Sequence, residues 1–102
     1  MNKTLFVAIL RYTKDSEAVE VHRANHIAWL LECYAKDQLI VSGPQVPKTG
    51  GVIMGQAANR DEFAMLLEQD PFHIHKCAEH SIYEFAPLRH SDDFGKVLEK
   101  IV

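Results

Sequence analysis

The sequence predicts an α+β fold of ferredoxin-like type, a β-α-β-β-α-β chain with a four-stranded antiparallel sheet and an extra C-terminal helix. Three observations predict it. Residues 4–12 (TLFVAILRY) form an unbroken run of β-branched, aromatic and aliphatic side chains. Two amphipathic helical stretches then alternate with further strand-like runs, each bounded by cap, glycine or proline signals. No linker, repeat or low-complexity tract interrupts the 102 residues. A single domain over residues 1–102 is therefore expected, with a core at about 4–88 and a helical extension at about 91–102.

The first strand is apolar on both faces: Leu5, Val7 and Ile9 point one way, and Phe6, Ala8 and Leu10 the other. Asp15 or Ser16 caps a helix that runs to about Lys36. On a wheel of about 100° per residue, Val19, His22, His26, Trp29, Leu30 and Cys33 share one side, with Glu20 and Glu32 away from its centre. Residues 38–42 (QLIVS) read as a second strand stopped by Gly43-Pro44. Pro47 and Gly50-Gly51 mark a loop, and a third strand begins at Val52 and ends near Ala58. Asn59, with Glu62 three residues on, signals a capping box, opening a helix that carries Phe63, Leu66 and Leu67 and ends before Pro71. Residues 81–88 (SIYEFAPL) form a fourth strand with Pro87 at its edge. Ser91 caps a short last helix, with Phe94, Val97, Leu98 and Ile101 at i, i+3, i+4 and i+7.

Two helices cover one face of such a sheet and leave the other bare, yet the first strand is apolar on both. Large apolar patches are rare on monomers, so a homodimer through the sheet faces is expected. The rival arrangement folds the C-terminal helix back over that face.

Composition narrows the function. The formal net charge of -3, from 11 basic and 14 acidic residues, argues against partners such as nucleic acid or an anionic membrane surface. It leaves a small-molecule substrate, even an anionic one, compatible with a local positive field. No segment approaches the ~18 apolar residues of a membrane span. The apolar run from Leu5 to Leu10 stops at Arg11, too soon for a secretory signal. Cys33 and Cys77 lie far apart and outside any CxxC motif, which points to reduced thiols and a cytoplasmic chain, with a single disulfide as the rival reading.

Four places carry candidate chemistry. His26 lies on the apolar stripe of the first helix. It reads either as a core histidine bonded to a backbone carbonyl or as a general base, since imidazole titrates near neutral pH. Asp70-Pro71-Phe72 is either a helix-ending turn or a turn that aims a carboxylate at an imidazole, fixing its tautomer and raising its basicity. Ser42-Gly43-Pro44 is either a simple turn or a pocket wall, where Gly43 allows close backbone approach and Ser42 bonds a substrate oxygen. His73-Ile74-His75, together with His80 and the His22/His26 pair, supplies metal-ligand side chains, but no Cys or carboxylate falls at a closed-site spacing. The expectation is no metal and mostly surface histidines, with a histidine metal site as the rival.

Arg23-Ala-Asn-His26-Ile-Ala-Trp-Leu30 resembles the R-x-x-H-L-x-x-L helix of the YCII-related (YciI-like) family. Gln38-Leu-Ile-Val-Ser-Gly-Pro44 resembles its G-x-L-x-x-[AS]-G-P strand. Gly50-Gly51 occupies the place of its glycine-bearing hairpin, and Gln69-Asp70-Pro71-Phe72 looks like its x-D-P-[FY] turn. The resemblance spans about residues 4–88. It implies a dimeric α+β barrel and a pocket in which His26 and Asp70 act as a catalytic pair. It also brings in a branch that removes chloride from a chlorinated hydroxyhydroquinone, and a fold shared with muconolactone isomerases. His22, His73, His75 and the C-terminal helix depart from the family pattern.

Together these readings give a small enzyme with no cofactor that moves protons on a small oxygenated substrate, of isomerase or lyase (dehydrochlorinase) type. His26 would be the base and Asp70 would orient it. Ser42 or an amide near Gly43 would bond the oxyanion, and Arg23 would attract an anionic substrate. The alternative is a non-catalytic small-molecule-binding or regulatory dimer of the same fold.

Overall fold

In a computed structural model that describes residues 4–100, the chain folds as β1 (Leu5–Tyr12), α1 (Ser16–Val21), α2 (Arg23–Ala35), β2 (Leu39–Pro44), β3 (Gly50–Gly55), α3 (Arg60–Leu67), α4 (Pro71–Ile74), β4 (Ala78–Phe85) and α5 (Asp92–Glu99). The four strands form one antiparallel sheet in the order β2-β3-β1-β4. This is the α+β, ferredoxin-like class that the element order predicts.

β1 and β3 are the two inner strands, β1 pairing with β3 and β4 and β3 with β1 and β2. The alternation of β1 decides what each face holds. Phe6, Ala8 and Leu10 enter the core with Ile53 of β3, Phe63 and Leu67 of α3, Trp29 and Cys33 of α2, and Phe72 of α4. Phe6 and Phe63 stack at 5.0 Å between ring centres. On the opposite face, cross-strand register aligns Val7 and Ile9 with Met54 and Val52 on one side and Tyr83 and Ser81 on the other. Val41 (53 % exposed), Tyr83 (59 %) and Phe85 (43 %) stay open to solvent there. The apolar residues of α5 are half-buried, and Val97 borders Leu39 and Ile40 of β2. α5 thus leaves much of that face uncovered.

Several boundaries differ from expectation. The helix expected from 15 or 16 to 36 breaks at His22 (φ -104°, ψ 4°) into α1 and α2. Asp15, not Ser16, caps it, accepting from the Ala18 amide. β2 runs on through Gly43-Pro44, because Gly43 and Pro44 pair with Val52 and Gly51, and β3 starts at Gly50 inside the expected loop. Gly50 lies so close to β1 that a Cβ there would sit 1.6 Å from the Leu10 carbonyl oxygen. The Asn59 cap holds, with Asn59 Oδ1 accepting from the Glu62 amide, but Glu62 reaches the Ala58 amide instead of completing the box at Asn59. β4 spans Ala78–Phe85, three residues earlier than expected. Every residue of β1 takes a β4 partner, from Leu5↔Phe85 to Tyr12↔Ala78. Ser91 caps α5 as expected, its hydroxyl accepting from the Phe94 amide. Ile101 lies outside the described residues. Both cysteines are buried free thiols.

Candidate functional site

The site grows from two local structures. On α2 the buried residues are His26, Trp29 and Cys33, the i, i+3, i+7 stripe that faces a core. A histidine on that stripe loses water and needs partners for its ring nitrogens. The partner comes from the turn between α3 and α4. Asp70 is in extended conformation at the N-cap of α4, and Pro71 holds the first helical position, where its missing N–H costs nothing. Asp70 Oδ1 accepts from the Phe72 amide at 2.9 Å. Capping and the turn fix the carboxylate under α2.

His26 Nδ1 lies 2.6 Å from Asp70 Oδ1, and His80 Nε2 lies 3.3 Å from Asp70 Oδ2. Asp70 is fully buried and its carboxylate faces three donors. Burial alone would push this carboxyl up. Hydrogen bonds from His26 and His80, the charge of His26 and the Phe72 amide outweigh burial and hold it below the ordinary carboxylate value. An ionised carboxylate only accepts, so both imidazoles donate to it. His26 then carries its hydrogen on Nδ1 and keeps a lone pair on Nε2, the tautomer a general base needs. Phe72 stacks on the His26 ring at 4.0 Å, inclined by 13°, and holds its plane.

The other expected residues distribute unevenly. Arg23 stands beside the pair. Its guanidinium carbon is 5.9 Å from the centre of the Phe72 ring that stacks on His26, and its Nε donates to Glu20 at 2.7 Å. Ser42 instead shares a short hydrogen bond with the Tyr34 hydroxyl. Gly43 has neither a positive φ nor a neighbour within 4 Å of where a Cβ would stand. The close approach that would make a glycine necessary there is absent, and Gly50 is where it occurs. Of the histidine cluster, His22 stacks on His75 at 3.8 Å and His73 lies 5.6 Å from His80. Among the described residues no group of three or more His, Cys, Asp or Glu side chains is placed to hold a metal ion.

His80 was not foreseen as a partner of Asp70. With the strand expected to begin at residue 81, His80 falls in a loop. Once β4 begins at Ala78, His80 lies between Ala78 and Ile82 on the helix-facing side, opposite Leu10, and a polar residue there must find a buried partner. His80 also lines a hollow of about 600 Å³ between α3 and β4, which His26 does not line.

Comparison with known proteins agrees with this fold. The model of the YCII-related domain family matches residues 4–86. A sequence comparison with curated proteins finds no match. Among solved structures, the chain is similar to the 5-chloro-2-hydroxyhydroquinone dehydrochlorinase TftG of Burkholderia phenoliruptrix in complex with 2,5-dihydroxybenzoquinone. The TM-score is 0.68 at 22 % identity, over 87 % of this chain and 97 % of that one. It is also similar to SnoaB, a cofactor-independent oxygenase of Streptomyces nogalater, with a TM-score of 0.51 at 14 % identity, over 90 % of this chain and 99 % of that one. At these identities the likeness is one of fold. Among the described residues no helix is long and apolar enough to cross a membrane.

Proposed function

The chain belongs to the YCII-related domain family, and on that footing we propose that it is a cofactor-independent enzyme in which His26 is a general base and Asp70 its orienting carboxylate. The observation that carries the proposal is the 2.6 Å contact between His26 Nδ1 and a fully buried, ionised Asp70. In the proposed step, Nε2 of His26 takes a proton from a hydroxyl or from a carbon next to a carbonyl. The electron pair left on the substrate then expels a leaving group, as in elimination, or recaptures a proton at another atom, as in isomerisation. The imidazolium formed is stabilised by Asp70, whose negative charge is already in place. Arg23, over the same Phe72 ring, adds positive charge beside the pair. The substrate class proposed is a small hydroxylated ring. TftG's ligand and reaction, on the same fold, support that choice.

The test is turnover of hydroxylated and chlorinated hydroquinones, followed by ultraviolet absorption and chloride release. His26→Gln is expected to lower kcat/KM by about 10²–10⁴-fold with the circular-dichroism spectrum unchanged. A fully active His26→Gln ends the proposal.

We further propose that the protein works as a homodimer whose sheet faces meet. The support is the open face of Val41, Tyr83 and Phe85, flanked by Val7, Ile9, Val52 and Met54, too large an apolar surface for a lone chain to expose at no cost.

A further inference from the structure

Three polar side chains surround the Phe72 ring, and the proposed mechanism uses only two of them. His26 stacks on it at 4.0 Å, and the Arg23 guanidinium carbon stands 5.9 Å from its centre. The third is Tyr12, the last residue of β1, whose ring meets Phe72 edge-on at 5.9 Å and 87°. Tyr12 follows Phe6, Ala8 and Leu10 on the helix-facing side of the sheet and is half-buried against the core. Its phenol is thereby turned towards α2, where hydrogen bonds to Glu20 and then to Tyr12 raise the Arg23 guanidinium above its ordinary value. A guanidinium only donates, so the Tyr12 oxygen accepts from Arg23 and keeps its own hydrogen for another acceptor. A cation bonded to that oxygen polarises the O–H and strengthens it as a donor. The His26 side chain is 11 % exposed. Its Nε2 is not one of the buried polar atoms that lack a partner, so the free lone pair of the base meets solvent. Base and phenol thus flank one aromatic ring. Ser42, the donor expected for a substrate oxygen, is instead engaged with the Tyr34 hydroxyl.

We propose that Tyr12, polarised by Arg23, donates its O–H to the substrate oxygen on which negative charge develops as His26 takes the proton. This rests on the reading of His26 as the base and adds the oxyanion donor which that reading lacks. In the step, the substrate's C–H or O–H bond breaks, an N–H bond forms at Nε2, and the electron pair comes to rest on the oxygen. Tyr12 keeps its proton throughout. 2,5-Dihydroxybenzoquinone carries ionised ring oxygens at neutral pH, and its dimethyl ether carries the same ring without charge. Binding of each to the intact protein is followed by titration calorimetry. Tyr12→Phe keeps the ring against Phe72 and removes only the O–H. It is expected to weaken the dihydroxy compound by about 10–100-fold, the worth of a hydrogen bond to a charged group, and the ether by only a few-fold. A merely structural role for Tyr12 would weaken both alike. Native protein carrying 3-fluorotyrosine keeps the test decisive should Tyr12→Phe misfold. Its Tyr12 fluorine resonance, assigned with Tyr34→Phe and Tyr83→Phe, is expected to shift with the dihydroxy compound and far less with the ether. The proposal is overturned if Tyr12→Phe binds the dihydroxy compound like the native chain, if it weakens both quinones equally, if the Tyr12 resonance does not move, or if the native chain binds neither quinone. Such a failure leaves the role of His26 standing, since that is read from turnover in His26→Gln and not from binding.

Discussion

Asp70→Asn isolates what the buried charge contributes, because it keeps the shape and removes the second accepting oxygen. In the native chain Oδ1 accepts from the Phe72 amide and His26 Nδ1, and Oδ2 accepts from His80 Nε2. An asparagine oxygen can keep the first two, as neutral bonds weaker by about 1 kcal/mol or less each than those to a charged acceptor. Its NH₂ then faces His80 Nε2–H, donor against donor. His80 escapes only by moving its hydrogen to Nδ1, where it becomes a buried donor lacking a partner, at about 1–3 kcal/mol. Against this stands the easier burial of a neutral amide. The sign is decided by the carboxyl itself: it is held below its ordinary value despite burial, so the fold favours the ionised form on balance. A net loss of about 2 kcal/mol at pH 7 follows from these terms, read as a fall of about 1 M in the urea midpoint. Because the folded value lies below the unfolded 3.8, the contribution is complete above that pH and fades as pH falls through the folded value. The gap between native and variant therefore narrows in acid. A variant whose urea midpoint equals the native one at pH 7 refutes the reasoning.

Three further outcomes are expected. Gly50→Ala forces β1 and β3 apart at the Leu10 carbonyl and should lower stability by at least about 2 kcal/mol in urea unfolding; a neutral effect would contradict the strand spacing. Burial, then His75 and Lys14, lower the His22 imidazole below its ordinary 6.5, so the unfolded chain binds that proton more readily and stability falls as pH drops below about 6.5. His22→Gln should lose less stability between pH 7.5 and 5.5 than the native chain, measured by urea midpoints at each pH. Tyr83→Glu on the open sheet face should shift the sedimentation coefficient from dimer to monomer, and an unchanged dimer would place the interface elsewhere.

Much of this architecture was legible in the residues because local signals agreed with one another. The two-faced β1 run, the Asn59 and Ser91 caps and the helical stripe of His26, Trp29 and Cys33 each reflect short-range rules that packing did not override. The contact of His26 with Asp70 spans 44 positions and no spacing rule reaches so far; a histidine on an apolar stripe and an Asp-Pro turn suggested it only in combination with the family resemblance. What escaped was set by tertiary pairing. The start of β4 depends on the length of β1, and with it the placement of His80. Pro71 signals equally well the end of one helix and the first position of the next, so α4 was hidden behind its own start. The break at His22 leaves its ring stacked on His75 from the far side of the sequence, a contact that a helical wheel cannot register. Gly43 and Gly50 look alike in the sequence, and only the distance to a neighbouring strand separates the dispensable one from the one that cannot change.

Asp70 caps α4 and anchors two imidazoles with the same carboxylate, whereas Ala64 and Leu67, which wall the adjoining hollow, belong to α3 and touch none of those bonds. Substitutions on that helix face can therefore reshape the hollow while Asp70 and its two imidazole partners keep their hydrogen bonds. Variation along α3 and the rim of β4 is expected to change the walls of the hollow without costing the fold its buried Asp70 anchor.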